Sequence, residues 1–299
     1  MAHGFVRASF AALTVATVLS GCTLLRGAHN TEREHRQADA ALARWAAAAE
    51  AGGDGHAFVP VGELTGQIGD WEEPVGDNNK PALMAGLVVA KETLPSDPPA
   101  EALVRWADGS TKPVRPVSAT QALADIRTTA VSSCPECVPL RVTSARLTTA
   151  TVETSRGPAT APTWEFTVEE TNVRVTRIAV AATDGITVQP PAWDPNDAPV
   201  GISIESARGT VTGTELTVTF VGAPDTAAQP CGADYTAEAV ESATAVVVIV
   251  VPHENVGFGG ACTSAGAIRT AIATLAAPIG ERAVLEVKEG LPVSVILDP

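Results

Sequence analysis

The segment Val246-Val247-Val248-Ile249-Val250-Val251 places six β-branched residues in a row with no polar member. Branching at Cβ restrains χ1 in a helix and suits the pleated surface of a sheet. A run of this length without a polar position marks a central strand. Around it, short apolar stretches recur between turns: 201–206, 215–221, 235–240, 244–251, 267–275, 283–287 and 293–297. Seven such strands in about 100 residues predict a C-terminal antiparallel β-sandwich-like domain over 186–299. Its leading boundary is the stretch 188–199, which carries Pro190, Pro191, Pro195 and Pro199.

Upstream, 57–185 reads as an α+β domain. Leu103–Trp106 and Lys112–Arg115 flank Asp108-Gly109, a hairpin signal. Ser118 and Gln121 cap a helix to about Thr128, with Ala119, Ala122, Leu123 and Ile126 on one face. Strands follow at 140–147, 149–154, 163–168 and 173–180, with Ser155-Arg156-Gly157-Pro158 as a turn and Trp164, Phe166 and Val168 alternating as a core face. Residues 22–56 read as a tether and one helix, starting at the Thr31/Glu34 capping box and ending at Gly52-Gly53. Leu42 and Trp45 are the large members of its alanine-rich stripe. The fold class is mainly β, α+β. Aromatic residues are only 4% of the chain, so the cores must be aliphatic.

The first 21 residues have a different character. His3 and Arg7 precede an apolar run from Ala8 to Gly21, with no acidic residue before Glu32. As a helix that run rises about 21 Å, short of a ~30 Å hydrocarbon core, so 1–21 reads as a signal peptide for general secretion. It ends in Leu19-Ser20-Gly21-Cys22, which resembles the lipobox of bacterial lipoproteins. The resemblance implies a diacylglyceryl group on the Cys22 thiol, cleavage after Gly21 and acylation of the new amino group. Two acyl chains give stable anchoring where one is marginal. The expected location is the outer face of the cell membrane, held by lipid. Removing 1–21 takes away Arg7 and leaves 19 basic against 34 acidic residues, a net charge of −15. Such a body has no electrostatic footprint for nucleic acid, and only lipid can hold it at an anionic membrane.

With Cys22 lipidated, four cysteines remain in an oxidising compartment. If 235–240 pairs with 244–251, and that strand with 267–275, Cys231 and Cys262 fall at the same sheet end, which predicts a Cys231–Cys262 disulfide. Cys134-Pro135-Glu136-Cys137 then reads as a local bridge. No helix follows it to lower a thiol pKa, and no second ligand pair stands nearby for zinc.

Catalytic motifs are scarce. G-x-S-x-G, S-x-x-K and H-E-x-x-H are all missing from the sequence. His253 with Cys262 invites comparison with L,D-transpeptidases, yet Gly259-Gly260-Ala261-Cys262 lacks their histidine beside the thiol. Asp194, Asn196 and Glu205 take three positions of a calcium loop, but Pro199 stands where glycine is required, and no cofactor or metal is expected. The candidate ligand-binding segment is 69–80: Trp71 supplies an aromatic plane, and Glu72, Asp77, Asn78 and Asn79 supply partners for hydroxyls. Packing of Trp71 on the core is the more ordinary explanation of the tryptophan, since most loop aromatics pack.

The stretches Gly66–Glu72, Gly76–Lys80 and Cys231–Tyr235, together with an Ala- and Thr-rich, Lys-poor composition, resemble uncharacterised actinobacterial lipoproteins. The resemblance implies location and no mechanism. The expected function is a binding or interaction module, more a non-enzyme than an enzyme, facing a cell-wall glycan or a membrane protein partner. The alternatives are a cell-envelope glycan hydrolase using Glu72, Glu73 and Asp77, and a structural subunit of a membrane complex.

Overall fold

The computed structural model describes residues 22–52, 58–72, 75–130, 132–192, 194–255, 257 and 260–298. The signal segment 1–21 lies outside them. The fold is mainly β with few helices, as the α+β class requires.

Helix α1 spans Cys22–Gly52. It begins nine residues ahead of the expected cap at Thr31, which sits inside the helix, so the tether expected over 22–30 is a correction. Leu24, Leu25, Arg26 and Ala28 are good helix formers, and a capping box stops nothing when the preceding residues favour the helix. Glu34, Ala38, Ala41, Trp45 and Gly52 form its buried stripe.

The first sheet contains β1 (Thr65–Ile68), β2 (Val88–Ala90), β3 (Ala102–Trp106), β4 (Thr111–Val114), β5 (Leu140–Thr154), β6 (Gly157–Val168) and β7 (Arg174–Ile178), with helices α2 (Val75–Met84) and α3 (Ala119–Thr128). Strand β6 is its spine. It pairs with β5 along its whole length, and on its other side with β7 and then β3. β1 extends the sheet from β7, β4 from β3, and β2 runs parallel to β5. Ser118 caps α3 by accepting from the Gln121 N–H at 3.1 Å. Ala119, Ala122, Leu123 and Ile126 then pack on Trp164, Phe166 and Val168. The indole of Trp164 donates to the Val117 carbonyl at 2.8 Å, which satisfies the polar atom that burial would otherwise strand.

The second half contains β8 (Ile204–Thr210), β9 (Glu215–Gly222), β10 (Ala233–Glu241), β11 (Ala245–Glu254), β12 (Ala267–Thr274), β13 (Ala283–Glu286) and β14 (Ser294–Asp298). They form a three-stranded sheet, β10-β11-β13, against a four-stranded sheet, β12-β9-β8-β14. Two pairs are parallel, β11 with β13 and β14 with β8, so the sandwich is mixed where an antiparallel one was expected. Strand β12 crosses to the opposite sheet and pairs with β9, not with β11. That crossing returns β13 beside β11 in the same direction.

The polar-free run is explained by layering. Val246, Val248 and Val250 point into the sandwich against Leu216, Val218 and Phe220. Ala245, Val247 and Ile249 point the other way, against Ala38, Ala41 and Trp45 of α1. The alanines let the helix lie close on the sheet. Ile186 and Val188 fill the same layer, so the proline-rich connection starts inside a core.

Candidate functional site

The segment around Trp71 was the site singled out by composition. The structure folds its second half into α2, where Asp77 lies in the first turn. Trp71 packs partly buried against the first-sheet core and donates its indole N–H to Gln67 Oε1 at 2.6 Å. Asn79 is buried. Asn78 Nδ2 donates to the Val138 carbonyl at 3.0 Å, and its Oδ1 accepts from the Val138 N–H at 2.7 Å. Glu72 and Asp77 remain exposed, and Glu73 lies outside the described residues. Trp71, Asn78 and Asn79 are therefore engaged in packing and internal hydrogen bonds, and two carboxylates face solvent.

Asn78 in fact holds the segment that follows the first disulfide. Cys134 and Cys137 are bonded, with Cα atoms 5.3 Å apart. Cys231 and Cys262 form the second disulfide, Cα–Cα 5.6 Å. The predicted partners are right, although the expected β11–β12 pairing is not what brings them together. Cys231 precedes β10, and Cys262 lies in the β11–β12 connection.

A different place offers room for a ligand. Two adjoining cavities, of about 450 and 490 Å³, open where the first sheet, α1 and the sandwich meet. Both are lined by Ser155, Arg156, Glu281 and Arg282. The first is completed by Asp108, Pro158, Val211 and Ile296, the second by Trp45, Ala46, Ala49, Val59 and Ile186.

The turn between β5 and β6 is built around buried Thr154. Its hydroxyl accepts from the Trp106 indole at 3.0 Å and the Arg156 N–H at 3.1 Å, and donates to the Gly157 carbonyl at 2.6 Å. Gly157 has φ +83°, a left-handed conformation that favours glycine. This turn sends the Arg156 guanidinium over the Trp106 ring, 4.8 Å from its centroid, and within 3.5 Å of Asp108. Hydrogen bonds from Ser110 hold the Asp108 carboxyl below its ordinary pKa.

Arg282 is held as firmly. It donates to Glu241 at 2.6 Å and to the carbonyls of Ala277 and Pro278 at 2.6 and 3.0 Å. Burial pushes the Glu241 carboxyl up, but the Ala276 N–H and Arg282 outweigh it, so its pKa lies below the ordinary value. Each arginine thus has its own carboxylate, and neither gives the cleft an unbalanced positive charge. Trp45 lines the second cavity, and its indole N–H, itself buried away from that space, finds no acceptor among the described residues. Neither cavity wall includes a histidine or a cysteine among the described residues. The chemistry on offer is an apolar wall and a rim in which Glu50 and Glu281 stand beside the two carboxylate-paired arginines, which suits binding of an uncharged or amphipathic molecule. Only the Ser155–Pro158 turn was a signal for this place, and it identified a turn without saying what the turn touches.

Among the described residues no group of three or more His, Cys, Asp and Glu side chains is placed to hold a metal ion. None of the described helices is long and apolar enough to cross a membrane. Comparison with known protein families, with curated proteins and with solved structures finds no match to the chain.

Proposed function

We propose that the protein is a membrane-anchored extracytoplasmic lipoprotein that acts as a binding module, with its ligand in the cleft between the first sheet and the sandwich. The observation that carries the binding role is the pair of adjoining cavities at a junction of structural units, the kind of place where ligand sites concentrate. The lipobox at Leu19–Cys22 supports the anchor. The ligand class is a hydroxyl-bearing or amphipathic molecule, such as a cell-wall glycan fragment. One face of it rests on Trp45, Val59 and Ile186, and its polar groups meet Ser155, Arg156 and Glu281.

The test is calorimetric titration of the Cys22→Ser chain starting at residue 22 with a panel of cell-wall glycan fragments. Ala46 and Ala49 line the cavity from α1, and tryptophan in place of Ala46 fills it. Binding by the parent, lost in Ala46→Trp and kept in Asp77→Ala, supports the cleft. Binding that survives Ala46→Trp and disappears in Asp77→Ala moves the site to the Trp71 segment.

A further inference from the structure

The residues common to both cavities are Ser155, Arg156, Glu281 and Arg282, and all are polar. They stand where one cavity meets the other. Away from that junction the lining turns apolar. Among the described residues, Asp108 alone is charged of those that line only the first cavity, beside Pro158, Val211, Ile296 and Leu297. Glu50 alone is charged of those that line only the second, beside Trp45, Val59 and Ile186. The cleft is therefore a pair of apolar arms joined at a polar waist. At about 450 and 490 Å³, each arm falls within the range of roughly 300–1,000 Å³ that small-molecule sites occupy.

Ser155 defines what the waist can hold. The residue is 9% exposed, and its N–H donates to the Val59 carbonyl at 2.9 Å. Its hydroxyl has no partner among the described residues, yet unlike the Trp45 indole N–H it is not sealed from solvent. That hydroxyl is free to bond a polar group in the cleft. The arginines of the waist are already engaged, Arg156 with Asp108 at 3.5 Å and Arg282 with Glu241 at 2.6 Å. Glu50, Asp108 and Glu281 outnumber the two guanidinium groups in the lining, so an anionic group meets net repulsion there. A glycan fragment carries hydroxyls along its whole length and leaves both apolar arms unmatched. Resting on the reading of the cleft as the ligand site, we infer that its ligand is a neutral two-armed amphiphile of the diacylglycerol type. One apolar arm lies in each cavity, and the uncharged ester junction between them is hydrogen-bonded by Ser155.

The experiment is calorimetric titration of the Cys22→Ser chain starting at residue 22 with dioctanoylglycerol, mono-octanoylglycerol and dioctanoyl phosphatidic acid, each below its micelle-forming concentration, and with the cell-wall glycan panel. Each further methylene buried strengthens binding about fourfold, so a second seated arm is worth more than about tenfold. The expected result is that dioctanoylglycerol binds at least about tenfold more tightly than either the one-armed or the anionic probe. Tryptophan in place of Val211 fills the first cavity, as Ala46→Trp fills the second, and each variant is expected to bring dioctanoylglycerol down to the affinity of the one-armed probe. Ser155→Ala removes a hydroxyl with no partner among the described residues, so it is expected to leave the unfolding midpoint unchanged and to weaken dioctanoylglycerol about threefold to tenfold. Equal affinities of the parent chain for the one-armed and two-armed probes, or for the neutral and anionic ones, overturn the inference without recourse to any variant. Glycan binding that is lost in Ala46→Trp, with no binding of dioctanoylglycerol, overturns the inference and leaves the cleft standing as a ligand site. Binding of no lipid probe and no glycan fragment overturns both.

Discussion

Asn78 and Val138, 60 residues apart, exchange two hydrogen bonds, side-chain amide to backbone, at 3.0 and 2.7 Å. The amide imitates a strand neighbour and secures the segment that follows the Cys134–Cys137 bridge to the start of α2. Composition had marked Asn78 for a ligand; its geometry marks it for the fold.

Asn78→Ala removes both bonds and leaves the Val138 backbone groups to solvent, for an expected loss of about 1–2 kcal/mol in denaturant unfolding. Asp77→Ala, one residue away but exposed, is expected to shift stability by less than about 0.5 kcal/mol. Equal losses in the two variants would contradict the structural role of Asn78.

The layer between α1 and β11 makes a paired prediction. Ile249→Ala leaves a cavity under the helix and is expected to cost about 2–5 kcal/mol. Trp45→Phe keeps most of the ring and removes an indole N–H that has no acceptor among the described residues, so its expected cost is under about 1 kcal/mol. A loss in Trp45→Phe as large as that in Ile249→Ala would mean that the indole N–H is bonded in the folded protein.

The two disulfides differ in how much chain they constrain. Their sequence separations are 31 and 3. In the chain-entropy picture, replacing the Cys231–Cys262 pair by serines costs about 4 kcal/mol and replacing Cys134–Cys137 about 2. Thermal unfolding of the two double variants checks the order, and the reverse order would contradict it.

Glu34 supplies the pH dependence. Burial in the α1 stripe raises its carboxyl pKa above the ordinary 4.5; His35 pulls it down and Glu238 pushes it up. Because the folded value exceeds the unfolded one, the favourable contribution is complete below the unfolded value and is lost as pH rises through the folded one. Glu34→Gln is therefore expected to raise the denaturation midpoint at pH 7, with the gain shrinking as pH falls toward and below 4.5. A gain that grows on acidification would reverse the sign of the shift.

Much of this architecture is legible in local sequence. The Ser118 cap, the Asp108-Gly109 hairpin and six of the seven sandwich strands form where residues a few positions apart place them, while the first strand, expected over 201–206, forms over Ile204–Thr210. What escapes is anything decided by distant partners. The Thr31/Glu34 pair has a cap's spacing, yet Glu34 is turned against the body, near Gly201, and helps dock α1. The six-residue apolar run marks a central strand, but only the packing of Ala38 and Trp45 shows that a helix covers its second face. The crossing of β12 to the other sheet leaves no mark in its alternation, since either partner buries the same side. The cleft is invisible for the same reason: Trp45, Arg156 and Arg282 are brought together from three parts of the chain.

The central claim, a lipid-anchored exported module, is tested most directly by the intact mass of the protein extracted from membranes. The account predicts a chain that begins at Cys22, lacks residues 1–21 and carries a diacylglyceryl group on its first residue, with or without a further acyl chain. A chain that retains Met1–Gly21, or one cleaved elsewhere with an unmodified Cys22 thiol, would contradict it.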